Sequence, residues 1–449
     1  MTRITFDSSD EKLTEAFNWA KEQALSYVNY EDKVGDWYEA ALPNRKSFCM
    51  RDVFHQSMGA HFLGLQHITK NMLNKFVENI SSSRDWCTYW EINLNNEPCQ
   101  VDYTNDDDFW YNLPANFELI NCCYNQYLWT GNLDYINGES YLHFYNKTLN
   151  DYINHWDKDG DGFIEFNEVN GRRGIASYNE DKKNQDALLI GDMLAAQYTG
   201  ASTYSKILTL NHDYEKAYDY QEQAKGIKEI YNNDWYNGNT KSFYSIKYRD
   251  GIYTDTYVGI CNTMPLRFDL VDTLYIQEVL DFIYEKGAYN VEELSYFPEL
   301  FYKYGSTKKG YELLLKLSDP QLKRRDYPEV SYSVITTIVL GVMGVKADYS
   351  YRTVSTIGQL NDTGYGKLEN VPVFNNHISI HHEGSSLSTL KNISGEPLYW
   401  KAIFKGRKDK VWVNDKPYMM IYEKDSLGQE YSYVTLLVKE GWEYNIRVI

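Results

Sequence analysis

Apolar residues along most of the chain recur at helical spacing. In residues 10–30, Leu13, Phe17, Ala20 and Ala24 fall on one face. The same period predicts helices over 52–79, 112–130, 134–155, 183–199, 211–232, 264–287, 291–303, 307–318, 329–346 and 350–361. One alternating stretch, 86–101, reads as a hairpin. Short turns such as Thr130-Gly131-Asn132 join antiparallel neighbours. About eleven or twelve helices paired in this way fit a closed toroid with its long loops gathered at one end. Near residue 367 the period changes to two. Val371–Ile380, Pro397–Phe404 and Tyr431–Val438 alternate, with turn signals at Ser394-Gly395 and Glu440-Gly441 between strands. The expected division is a helical toroid over 1–366 and an antiparallel β-sandwich module over 367–449.

One loop departs from both periods. In Trp156–Glu168, Asp157, Asp159 and Asp161 occupy positions 1, 3 and 5 of a calcium loop, and Gly162 occupies the sharp-turn position. Phe163 offers its carbonyl, Glu165 a contact through water, and Glu168 a bidentate carboxylate at position 12. Two glycines, Gly171 and Gly174, follow closely and break any exiting helix. The expectation is therefore one structural Ca²⁺ that pins the stretch running to Tyr178, Glu180 and Asp181, rather than a switch.

The charge balance, 45 basic against 63 acidic residues for a net −18, argues against nucleic acid and anionic membranes as partners. The 42 tyrosines and 11 tryptophans suit sugar rings, although an aromatic core explains them equally well. No long apolar run predicts a membrane span, and the start MTRITFDSSDEKLTEAF lacks an apolar signal region. Six cysteines without metal-type spacing read as reduced thiols, which points to the cytoplasm.

Three stretches carry a family resemblance: Arg51-Asp52 with Phe109-Trp110-Tyr111-Asn112-Leu113-Pro114-Ala115-Asn116 downstream, Gly171–Asp181, and Arg325–Tyr332 opening an apolar helix. With the β tail, they make the chain resemble the six-hairpin, (α/α)6-barrel glycosidase superfamily. The acid motif of the rhamnosidases is not found. The resemblance implies a mainly α fold, an (α/α)6 toroid of helical hairpins with a C-terminal antiparallel β-sandwich, and a carbohydrate substrate. It also implies hydrolysis by two carboxyl groups across the barrel mouth, commonly with inversion.

Acidic residues on predicted loops and helix starts are the candidates: Asp52, Glu91, Asp102, Asp106–Asp108, Glu180-Asp181 and Glu329. Glu180, beside Tyr178 and Asp181 and just past the calcium loop, is the expected general acid, with Asp108 its first substitute. Glu329 follows Pro328 at a helix start, where the dipole favours an ionised carboxylate, so it is the expected general base. A plain helix-capping role accounts for Glu329 as well. Arg51, Asp52, Trp110 and Tyr178 are the expected substrate contacts. Other readings stay open: a polysaccharide lyase or sugar epimerase using Arg51, Arg172, Arg173 and the histidines, or a non-catalytic, calcium-stapled carbohydrate binder.

Overall fold

The computed structural model describes residues 3–169, 172–176, 186–254, 256–361 and 363–448. Twelve helices alternate between an outer and an inner ring. The outer helices are α1 (Glu11–Ser26), α3 (Gln66–Val77), α5 (Glu139–Lys147, continued by a π turn to Trp156), α7 (Tyr214–Asp234), α9 (Ile276–Lys286) and α11 (Thr307–Ser318). The inner helices are α2 (Met50–Phe62), α4 (Ala115–Thr130), α6 (Gly191–Leu210), α8 (Gly259–Arg267), α10 (Val291–Lys303) and α12 (Pro328–Thr336, continued by a π turn to Val342). Each inner helix packs on the next, and α12 returns to α2, which closes the ring.

Burial explains the two rings. Outer helices such as α9 and α11 bury one stripe, for example Ile276, Val279, Leu280 and Ile283. Inner helices are buried nearly all round, as α6 is from Gly191 to Leu208. Closure needs a small residue at the seam. A Cβ added to Gly59 of α2 would lie 2.4 Å from the Tyr332 carbonyl oxygen of α12, so only glycine lets these backbones touch.

The β module has two sheets. With β1 (Thr5–Ser8), β2 (Lys346–Asp348), β3 (Thr353–Thr356), β4 (Tyr365–Val373), β5 (Asn376–Glu383), β6 (Leu387–Ser394), β7 (Leu398–Lys405), β8 (Lys410–Val413), β9 (Lys416–Met419), β10 (Ile421–Lys424), β11 (Glu430–Val438) and β12 (Glu443–Arg447), the orders are β1-β4-β5-β6-β12-β8-β9 and β2-β3-β7-β11-β10. All pairings are antiparallel except β3 with β7. Residues alternate in and out along β5, β6 and β7, as a two-layer packing requires.

Two sequence expectations need correction here. The division at residue 366 does not follow the strands: β1 comes from the extreme N-terminal side and pairs Thr5 with Glu369, and β2 and β3 lie before residue 360. The helix expected over 350–361 is instead a 3₁₀ turn followed by β3. Val354 and Thr356 alternate inward there, and a four-residue alternation is too short to separate from helical spacing. Histidines join the two parts. His61 Nε2 bonds the Pro372 carbonyl at 3.0 Å, and His382 Nε2 bonds the Met343 carbonyl at 3.2 Å. Among the described residues, no helix is long and apolar enough to cross a membrane.

Candidate active site

A cavity of about 410 Å³ opens at the N-terminal ends of α2, α10 and α12. Its wall holds two clusters of charge. The first is built on a short antiparallel pair, Ser47–Cys49 with Glu91–Asn93, which sets Cys49 opposite Glu91. Glu91 is buried, accepts a hydrogen bond from the Ser47 hydroxyl, and shares another with Asp102. Arg45 Nη2 bridges the pair, 2.9 Å from Glu91 and 3.1 Å from Asp102. Burial first, and the Asp102 carboxyl next, push Glu91 up to about 8. Glu91 thus keeps its proton at neutral pH beside the Asp102 carboxyl and the Arg45 guanidinium.

The second cluster comes from helix first turns. Arg51 and Asp52 open α2, Glu292 opens α10 behind its Asn290 cap, and Glu329 opens α12 behind Pro328. Arg51 Nη2 pairs with Glu292 at 3.0 Å, and its guanidinium lies over the Trp90 ring at 5.6 Å. Glu329 is buried. With its amide turned to satisfy both neighbours, Gln56 accepts from the Glu329 N–H at 3.3 Å. Burial, then the Asp52 and Glu292 carboxylates, raise Glu329 well above the ordinary carboxylate range, against a smaller opposing pull from Arg51. This corrects the sequence expectation of an ionised Glu329. The helix dipole is worth about 1 kcal/mol or less at such a position, and burial beside two like charges outweighs it. Trp90 and Trp110 add aromatic surface to the wall.

The structure brings Arg51, Asp52, Trp110 and Glu329 of the expected set to this one cavity, together with Glu91 and Asp102. Asp108 does not line it. The short hairpin Tyr103–Asn105 with Asp108–Phe109 turns Asp108 to Arg172 Nη1, 3.0 Å away. Asp106 is likewise structural: Ser83, Tyr103 and Arg84 bond it and overcome burial, lowering it to about 2. Glu180, with Tyr178 and Asp181, lies outside the described residues. Arg45 and Glu292 were not anticipated. Arg45 leaves no mark in the sequence, whereas the Asn290 cap followed by two glutamates could have drawn attention to Glu292.

Of the groups named for a lyase or epimerase reading, Arg51 lines this cavity, while Arg173 and His55 are engaged elsewhere. Arg173 pairs with Asp85 at 2.8 Å. His55 is buried against Ser295 at 2.6 Å and Ser333 at 3.1 Å, and burial lowers its proton affinity well below the usual histidine range.

The acidic loop is tightly wound. Asp157 accepts from the Gly160 N–H at 2.7 Å and the Gly162 N–H at 2.8 Å, and both glycines have positive φ, 82° and 90°. Gln197 of α6 clamps it, donating to the Gly162 carbonyl at 2.6 Å and accepting from the Ile164 N–H at 3.1 Å. Carboxylate oxygens of Asp157, Asp159 and Glu165 converge within 4.8 Å. Burial and the neighbouring aspartates raise Glu165. Asp161 and Glu168 fall outside that group, and no helix follows the loop in the described residues to 169.

No protein-family model matches the chain, and no curated protein matches it. Solved structures do. A GH78 family rhamnosidase of Bacillus sp. GL1 aligns with a TM-score of 0.64 at 12% identity, over 88% of this chain and 42% of that one. An α-L-rhamnosidase from Dictyoglumus thermophilum aligns at 0.62 and 14%, over 99% and 50%. A putative kojibiose phosphorylase from human microbiome aligns at 0.57 and 10%, over 97% and 60%. The chain spans about half the length of these two rhamnosidases. The fold is that of the (α/α)6-barrel glycosidases, with a β-sandwich beside the barrel.

Proposed function

We propose that the protein is a glycoside hydrolase that works with inversion, and that its chemistry takes place in the cavity at the N-terminal ends of the inner helices. One observation carries this: two carboxyl clusters line a single cavity, and each contains a glutamate that burial raises above the ordinary carboxylate range. Inversion needs a proton donor and a carboxylate about 6.5–9.5 Å apart with water between them. Glu329, neutral and buried, is the donor to the leaving oxygen. Asp102, hydrogen-bonded to Glu91 and paired with Arg45, is the base that takes a proton from the attacking water. The Arg51–Glu292 pair binds sugar hydroxyls, and Trp90 and Trp110 face the ring.

The acidic loop supports a second element of this reading, a structural Ca²⁺ held by Asp157, Asp159 and Glu165, with the Phe163 carbonyl and water among the remaining oxygens. When bound, the ion would neutralise the three carboxylates and fix the loop against α6. The six cysteines, all buried and free, fit a reducing cytoplasm.

The test is a panel of aryl glycosides with proton NMR of the first-formed anomer, run on the wild type and on Glu329→Gln, Asp102→Asn and Glu180→Gln. Glu329→Gln and Asp102→Asn are expected to fold normally and to lose at least about 10²-fold in turnover, the scale of general acid–base removal. Near-normal turnover in Glu329→Gln together with loss in Glu180→Gln would transfer the donor role to Glu180. A retained anomeric configuration would refute inversion.

A further inference from the structure

The opposite end of the barrel holds a second cavity of about 400 Å³, lined by α4, the C-terminal turns of α8 and α10, and strand β2. It adjoins another of about 550 Å³ through shared Tyr124, Tyr198, Ser202 and Lys206. Cations gather here on a chain whose net charge is −18. Some are accounted for. Lys303 ends α10, donates to the Arg267 carbonyl at 2.7 Å and pairs with Asp269 at 2.9 Å, while Arg267 pairs with Glu299 at 3.1 Å. Basic side chains on last helical turns are the ordinary complement of the helix dipole.

Lys206 and Lys346 are different. Among the described residues neither has an acidic side chain within ion-pair distance, and the Lys206 ammonium lies over the Tyr124 ring at 5.9 Å. Solvent reaches both residues, yet crowding is the largest influence on each ammonium and lowers its hold on the proton. Lys303 acts on both in the same direction; Asp269 opposes it on both, and Glu299 and Asp425 also oppose it on Lys346. Two ammoniums without an ion-pair partner line one well with two tyrosine rings and the amide of Asn125, and together these form a receptor for negative charge on a flat polar ligand.

We propose that this well is a second ligand site, distinct from the cavity at the other end of the barrel, which binds the carboxylate or phosphate of an acidic sugar between Lys206 and Lys346 with Tyr124 and Tyr198 at the ring. The site stands independently of the hydrolytic reading, and its test involves no turnover.

Calorimetric titration with inorganic phosphate, glucuronate and glucose, at ionic strength held constant with chloride, measures it directly. Phosphate and glucuronate should bind, and glucose should not bind at the same concentration. Tighter binding of glucuronate than of phosphate would mark a sugar-borne anion as the ligand; the reverse order would mark free phosphate at the same site. Lys206→Met and Lys346→Met should each weaken anion binding at least about tenfold, the scale of one lost charge-assisted hydrogen bond, and Lys206→Arg should retain it. The double Met variant provides the deciding control. Anion binding that survives unchanged in it, or no anion binding beyond chloride in the wild type, would overturn the proposal.

Discussion

Glu118 offers a quantitative test of the electrostatics inside the barrel. It sits in the first turn of α4, buried, with Oε2 lacking a hydrogen-bond partner. Burial raises it from 4.5 to about 7; Asp192 and Glu292 add to that rise, while Arg51 and Arg267 oppose it. The raised value fixes the sign of the linkage. Between about pH 4.5 and 7 the folded protein holds a proton that the unfolded chain has released, so stability falls as pH rises through that window and levels off above it. At about 1.4 kcal/mol per pH unit, Glu118 alone removes roughly 3 kcal/mol across the window. Glu118→Gln preserves the shape and removes the titration. The variant should gain roughly 3 kcal/mol on the wild type between about pH 5 and pH 8, which for a chain of this length corresponds to roughly 3 °C in melting midpoint. Differential scanning calorimetry of both proteins at several pH values measures the difference directly. Glu91 and Glu293, also raised, slope both curves equally and cancel. A wild-type-minus-variant difference that stays constant with pH would refute the reasoning.

Gly59→Ala should lower the melting midpoint, with a loss of about 1–3 kcal/mol or more from forcing α2 and α12 apart; an unchanged midpoint would show that the seam has slack. Saturating calcium at about 100 times its Kd should add about 2.7 kcal/mol of stability over EGTA-treated protein; Glu165→Gln should abolish that response and Glu168→Gln should leave it. The pH profile of kcat/KM should show an alkaline limb, because Glu329 must be protonated to act and loses its proton only well above the ordinary carboxylate range. Activity confined to pH values below about 5 would assign the donor to a carboxyl with an ordinary pKa.

Helical period made most of the barrel legible, because an inner helix and its outer partner both repeat every three to four residues. The calcium-loop spacing and the Pro328-Glu329 helix start were equally plain. What the sequence did not carry was contact. The environment of Glu329 depends on Asp52 and Glu292, which lie 277 and 37 positions away and meet it only when the ring closes. A local argument from the dipole therefore left out the burial and like charges that oppose ionisation. Asp108 failed for the same reason, since Arg172 arrives from a different loop. That the Glu165 carboxylate lies with those of Asp157 and Asp159 was not legible either, because it depends on how the loop folds back and not on spacing alone. The strand β1 was hidden by its shortness: four alternating residues carry too little pattern to be read without their partner.

The join between the first and last parts of the barrel has a consequence for how the protein is made. Tyr332 of α12 donates to the Ala24 carbonyl of α1 at 3.0 Å, and β1 waits for β4. On the ribosome, the 308 residues between Ala24 and Tyr332 take roughly 15–60 s to synthesise. Throughout that interval the part of the α1 face that packs on α11 and α12 lacks its native cover, and the growing arc of hairpins has two open ends. Either end can accept the matching end of a neighbouring nascent chain. The clasp that completes the ring therefore also sets the period during which a chaperone is of most use to it.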